Sequence, residues 1–307
     1  MAKPLTRLLR KLCNRMGYDL LRLQKTHIHH EAVSGLGRGG GFDAFEAIVP
    51  REIRRFDILF RSCARVQVHG QSRMRFIGVQ KAELAARCLN SLIRSLKSAR
   101  DSGLDTNIRL TILDDHSDAA HIGTLEQLMR RAPCAANLVS ISETGVGPAY
   151  GAALNFARRE CPDVIYFVED DYLHEERALL EIIQSYARIS AIYKRDIVLF
   201  PSDYPDRYRH VDPTHVLLGS HRHWRTIGDT TFTNVTTKKI LNRYWKNYTA
   251  LIKYGVDPDI AEHNTIDHIY KEVPCLSPMP SLAVHFQHFD TLSPYFDWQK
   301  WWDASRL

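Results

Sequence analysis

DVIYFVEDDYL, residues 163–173, runs an apolar segment directly into three consecutive carboxylates, Glu169, Asp170 and Asp171. Val164, Ile165, Phe167 and Val168 are β-branched or aromatic, the composition of a strand covered on both faces. Three acids at its end repel one another unless positive charge sits beside them. Hard oxygen ligands at a strand terminus suit Mg²⁺ or Mn²⁺ holding a phosphate group. The same acids also suit the first turn of a helix, and HEERALLEIIQSY follows with helical spacing.

Outward from this stretch, apolar runs and helical patterns alternate. FDILF (56–60), RLTILD (109–114), NLVSI (137–141), VIYFVE (164–169) and DIVLF (196–200) read as strands. Helices are expected over 82–99, where Leu84, Cys88, Leu92 and Leu96 form one stripe, and near 123–131, 148–159 and 175–190. RFIGV (75–79) competes with FDILF as the first strand. This order implies an α/β/α sandwich with a mostly parallel central sheet, a Rossmann-like architecture whose ligands bind at the carboxyl ends of strands.

The 307 residues hold 41 Lys/Arg and 35 Asp/Glu, a formal charge of +6. Residues 1–25 contain seven of the basic residues and one of the acids, leaving 34 of each in 26–307. The body is therefore formally neutral, and nucleic acid is not an expected partner. In the arm, Leu5, Leu8, Leu9, Leu12 and Met16 follow helical spacing, with Arg7, Arg10, Lys11 and Arg15 on other faces. A basic amphipathic helix of this kind can lie on an anionic membrane surface, where each Lys or Arg contributes about 1 kcal/mol. A helix docked on the body, or a disordered tail, is the alternative. No apolar run is long enough to span a bilayer, and the arm has no signal-peptide pattern. Six scattered cysteines without a C-x-x-C pair fit a reducing compartment. The expected location is cytoplasmic, peripheral at the inner membrane face. SGLGRGGG (34–41) marks a linker and lacks the features of a phosphate loop. The expected organisation is an arm over 1–30, a linker over 31–50 and a catalytic body beyond.

Three strand ends point to one edge. FDILF is followed by Arg61 and Ser62, RLTILD ends in Asp114-Asp115-His116-Ser117, and VIYFVE ends in Asp170-Asp171. ETGVGPAYGAALNFA (143–157) places Gly145, Gly147 and Gly151 around a helix start, where backbone N–H groups can approach a diphosphate. About 55 residues separate the two acid clusters. In this order the residues resemble nucleotide-sugar-dependent glycosyltransferases of the GT-A fold, close to the large inverting family 2. LDDHS (113–117) is similar to the "Asp-Asp-x-Ser" strand end that holds the nucleoside in that family. FVEDDYL (167–173) is similar to its D-x-D or E-D-D motif, and ALNFARRECPDVIYFVEDDYL looks like the matching stretch of N-acetylglucosaminyltransferases that use Glu-Asp-Asp. The resemblance spans about 55–200 well and departs at the opening, where Arg-Ser-Cys replaces the usual "I-P-x-Y-N".

The resemblance implies a GT-A type fold, with the nucleotide-sugar-binding part over 51–205 and the acceptor part over 206–307. It implies Asp171 on Mn²⁺ or Mg²⁺, Asp170 on the ribose or behind the metal, and Asp114 and Asp115 at the nucleoside. His285, or His288, is a candidate third metal ligand. Arg61, Ser62, Gly145 and Gly147 complete the nucleotide side. On the acceptor side GSHRHWRTIGDTTFTNVTTKKIL (219–241) offers Trp224, Thr230, Thr231 and Asn234 to a sugar, or else forms an exposed hairpin. Glu262, 91 residues after Asp171, occupies the place of the inverting base, with Asp259 and Asp257 as substitutes. Asp259 and Glu262 also match a capping box. His221-Arg222-His223 lacks zinc spacing and could steer an anionic donor.

The function so implied is metal-dependent transfer of a sugar from a UDP- or GDP-linked donor to a hydroxyl of a glycan or lipid-linked acceptor. It would serve glycan or surface polysaccharide synthesis. Nucleotidyl transfer is the rival enzyme class, and its usual glycine-rich basic loop after the first strand is absent from Arg61-Ser62-Cys63-Ala64. A catalytically inactive glycan- or membrane-binding protein on the same fold is the non-enzymatic rival.

Overall fold

The structure is a computed structural model that describes residues 48–64, 78–209, 211 and 213–307. Residues 49–307 form one compact unit. The basic arm, the glycine linker and most of the competing strand RFIGV lie outside the described residues; Gly78 and Val79 are not in a strand.

The first strand is β1 (Phe56–Ser62), followed by α1 (Lys81–Asp101), β2 (Ile108–Asp114), α2 (Ala119–Met129), β3 (Ala135–Ser140), α3 (Val146–Glu160) and β4 (Val164–Glu169). Then come β5 (Tyr172–His174), α4 (Ala178–Tyr193), β6 (Val198–Leu199), β7 (Val216–Leu218), β8 (His223–Ile227) and β9 (Asn234–Thr237). Two short helices, α5 (Lys238–Arg243) and α6 (Trp245–Ala250), precede β10 (Cys275–Met279), β11 (Ala283–His285) and α7 (Trp298–Ala304). The helix expected near 123–131 starts earlier, because Asp118 accepts the His121 N–H as its cap at 2.8 Å. The strand expected over 196–200 is reduced to Val198–Leu199.

Nine strands form one sheet in the order β3-β2-β1-β4-β9-β6-β10-β8-β7. β3, β2, β1 and β4 are mutually parallel, as are β6 and β10, while β9 runs antiparallel to both β4 and β6. This is the expected α/β/α sandwich with a mostly parallel central sheet. The period of two along β1 explains its two covered faces. Phe56, Ile58 and Phe60 pack with α1, α2 and α4, whereas Leu59 packs with Ile165, Phe167 and α3 on the other side. A third cluster joins Leu84 and Cys88 of α1 to Leu173, Val284, Phe286 and Trp302, so α7 closes the edge of the α1 layer. No helix among the described residues is long and apolar enough to cross a membrane.

Register positions the site. Ser62 stands opposite Asp114 and Arg61 opposite Glu169, so β1, β2 and β4 end flush at their carboxyl termini.

Candidate active site

At that flush edge lies a cleft of about 160 Å³. Its walls carry Arg61, Ser62 and Cys63 after β1, Lys81 at the start of α1, Asp115 after β2, and Gly145, Val146 and Ala149 at the start of α3. Glu169, Asp170 and Asp171 follow β4; Thr231, Phe232, Tyr254, Glu262, His285 and Gln287 close it from the second half of the chain.

The three carboxylates each meet a basic side chain. Arg61 Nη2 donates to Glu169 Oε1 at 2.8 Å, and its Nη1 donates to the Val146 carbonyl at 3.0 Å. The Arg61 guanidinium also lies over the rings of Tyr150 and Phe232, 5.8 and 5.2 Å from their centroids. Lys81 Nζ is ion-paired with Asp170 Oδ1, while Asp170 Oδ2 accepts the Cys63 N–H at 2.9 Å. His285 Nε2 is 3.3 Å from Asp171 Oδ1. Burial pushes the Glu169 carboxyl upward against the opposing pull of Arg61. Burial also opposes charge on His285, but Asp171 and Glu169 outweigh it and its pKa is raised.

His285 reaches this place through β11, which pairs antiparallel with β5 and sets His285 opposite Tyr172. Its ring stacks on Tyr172 with centroids 4.6 Å apart, and Nδ1 lies 3.2 Å from the Tyr204 hydroxyl. Tyr172 in turn bonds Thr231 Oγ1 at 2.7 Å, so Thr231, Tyr172, Tyr204 and His285 form one connected wall.

Beyond β2, Asp115 Oδ2 accepts the Gly145 N–H at 3.1 Å, and Gly145 takes a φ of 99°, a conformation glycine adopts without strain. Asp114 is buried just behind Asp115. Its Oδ2 accepts the Ser117 N–H at 2.9 Å, and its Oδ1 has no hydrogen-bond partner among the described residues. Ser62 Oγ is 3.1 Å from His121 Nε2, a ring whose pKa is lowered by burial.

Glu262 enters the cleft from a short 3-10 turn, Glu262–Asn264. Asn264 Oδ1 accepts the Ala261 N–H at 3.0 Å, and Thr265 Oγ1 donates to the Ala261 carbonyl at 2.7 Å. These bonds hold the turn, and the alternative of a capping box between Asp259 and Glu262 does not form. Burial raises the Glu262 pKa, the direction a general base near neutrality needs.

Arg61, Ser62, Asp115, Gly145, Asp170, Asp171, Thr231, Glu262 and His285 are brought together in the cleft. Other candidates lie elsewhere. Gly147 does not line the cleft: the 251–254 segment packs directly on it, so it is kept small by packing and not by phosphate approach. Asp259 is exposed and its N–H donates to Asp257 Oδ1 at 3.1 Å. Trp224 is fully buried on β8, with Nε1 donating to Glu181 Oε1 at 3.0 Å, because its indole completes the core under α4. Thr230 is turned to Tyr270 and Asp267, at 2.6 and 3.2 Å. His288 does not line the cleft. Lys81, Cys63, Phe232, Tyr254 and Gln287 were missed; of these, only Lys81 carried a signal, as a cation opening a helix after an unassigned loop.

A divalent cation is what the family resemblance implies, and the described residues do not fit one. Both oxygens of Asp170 are engaged, by Lys81 and the Cys63 N–H; Glu169 is bonded by Arg61 and, at 3.3 Å, by the Thr233 hydroxyl. Asp171 and His285 remain, already facing one another. Among the described residues no group of three or more His, Cys, Asp or Glu is placed to hold a metal ion.

No family model matches the chain, and no curated protein does. Among solved structures it is similar to S. aureus TarS, at 13% identity and a TM-score of 0.37, over 64% of this chain and 33% of that one. A TarS fragment spanning residues 1–349 has been crystallised in complex with UDP. A UDP-glucose pyrophosphorylase matches at 10% identity and a TM-score of 0.43, over 81% and 96% of the two chains. The 4-diphosphocytidyl-2C-methyl-D-erythritol synthase from Anaerococcus prevotii matches at 10% identity and 0.38, over 82% and 96%. The chain thus spans about a third of full TarS. Likenesses this distant do not fix a reaction.

Proposed function

We propose that this chain is a GT-A-like glycosyltransferase that moves a sugar from a nucleoside diphosphate donor to a hydroxyl acceptor. The observation that carries the reading is the flush register of β1, β2 and β4, which gathers Arg61, Asp115, Asp170 and Asp171 in the cleft that Glu262 enters from the far side. Asp115 lines the cleft at this end, whereas Asp114 lies buried behind it and outside the lining, so Asp115 is the carboxylate proposed to meet the nucleoside. The Gly145 turn and Arg61 face the place of the diphosphate. Glu262 takes the proton of the acceptor hydroxyl; the acceptor oxygen bonds the anomeric carbon as the bond from that carbon to the phosphate oxygen breaks, and the bonding pair leaves on the diphosphate. Inversion follows from this single displacement. The basic arm is proposed to hold the enzyme at an anionic membrane face.

The test is incubation with UDP- and GDP-linked sugars and an acceptor while free nucleoside diphosphate is measured, beside a parallel incubation with nucleoside triphosphate and sugar 1-phosphate in which pyrophosphate is measured. Release of UDP or GDP supports sugar transfer. Release of pyrophosphate instead marks nucleotidyl transfer, and binding without turnover marks an inactive relative.

A further inference from the structure

We propose that this cleft offsets the charge of the donor's diphosphate with its own Lys81 and Arg61, in place of a divalent cation. The inference rests on the sugar-nucleotide reading above. Three adjacent acids require neighbouring positive charge, and the tertiary structure supplies it from the chain itself: Arg61 from β1 to Glu169 at 2.8 Å, Lys81 from α1 to Asp170, and His285 from β11 facing Asp171 at 3.3 Å. Lys81 and Arg61 bring the ammonium and the guanidinium of this set. Both line the cleft, and they are 15% and 13% exposed, so water screens them little.

A dication ligated by Glu169 or Asp170 has to displace Arg61 or Lys81. An arriving diphosphate instead competes with these carboxylates for the same two cations. Arg61 is pinned by the Val146 carbonyl and by the rings of Tyr150 and Phe232, so its planar fork is a fixed donor for phosphate oxygens. Lys81 sits on a flexible stem and can turn from Asp170 to the phosphate while Asp170 keeps the Cys63 N–H. The acids hold the cations in the cleft before the nucleotide arrives, which accounts for the Glu-Asp-Asp cluster without a metal.

The test is calorimetric titration of UDP and of GDP into the full chain, once in EDTA and once in Mn²⁺. Equal affinity in the two buffers, a roughly tenfold or greater loss in Lys81→Met and recovery in Lys81→Arg support the proposal. Binding that is tenfold or more tighter in Mn²⁺ overturns it and leaves the sugar-nucleotide reading standing. Absence of nucleotide binding in both buffers overturns both. The wild-type comparison decides the matter even where Lys81→Met does not fold.

Discussion

The carbonyl oxygen of Ile252 lies 2.2 Å from where a Cβ on Gly147 would stand, and the Ile252 side chain lies 3.0 Å from the same position on Gly151. The first two turns of α3 are therefore the bed on which the 251–254 segment rests, just before Tyr254 and Glu262 enter the cleft. Gly147→Ala must push that backbone away. A loss of about 1–3 kcal/mol in stability is expected, with turnover falling more than donor affinity. Thermal melts alongside nucleotide titration check it, and a mutant with wild-type stability would show that the segment does not rest on α3.

Glu262→Gln is expected to lower turnover by about 10²–10⁴-fold while donor affinity holds, the usual contribution of a positioned base. Asp259→Asn should leave turnover nearly intact, because Asp259 is exposed outside the cleft. The base works ionised, and burial raises the Glu262 pKa, so kcat/KM should fall with decreasing pH at a higher pH than for a solvent-exposed glutamate. A pH–rate profile of the wild type, set against the residual activity of Glu262→Gln, measures this limb. An inactive Asp259→Asn beside an active Glu262→Gln would move the base upstream.

Asp267 titrates at about 7, pushed up by burial against the hydrogen bond from the Thr230 N–H. The folded chain therefore holds a proton that the unfolded chain has released, and the stability this group contributes is full at acid pH and lost as pH rises through about 7. Asp267→Asn keeps an acceptor for Thr230 and removes the charge. Its melting temperature should exceed that of the wild type at pH 8, with the gap closing toward pH 4. A gap that does not change with pH counts against a raised Asp267.

Trp224→Phe removes the N–H that donates to Glu181 Oε1, an oxygen that also accepts from the Ser185 hydroxyl at 2.6 Å. A stability cost of about 1–3 kcal/mol is expected, with acceptor KM unchanged. A raised acceptor KM at wild-type stability would return Trp224 to the acceptor site.

Most of the parallel half of the sheet was legible from short-range pattern. Apolar runs placed β1 to β4 within about two residues, since β1, β2 and β4 are covered on both faces and the edge strand β3 keeps an apolar Leu138-Val139 pair. Shorter strands were not legible: β7, β8, β9 and β11 carry five residues or fewer, and Asn234, Thr236 and Thr237 of β9 and His285 of β11 are polar yet buried because other segments cover them. The glycines of α3 were read as phosphate-binding because a sequence shows that a position is small and not what crowds it.

What the sequence by itself determined is the layered α/β architecture and the edge where chemistry collects, because periodicity and strand-end acids are local properties of the chain. The tertiary structure alone decided which charges meet there. Lys81 reaches Asp170 through the start of α1, His285 reaches Asp171 through the pairing of β11 with β5, and Glu262 enters from a turn held by Asn264. These partners lie far apart along the chain, and electrostatic energy depends on distance in space, which no spacing in the sequence encodes.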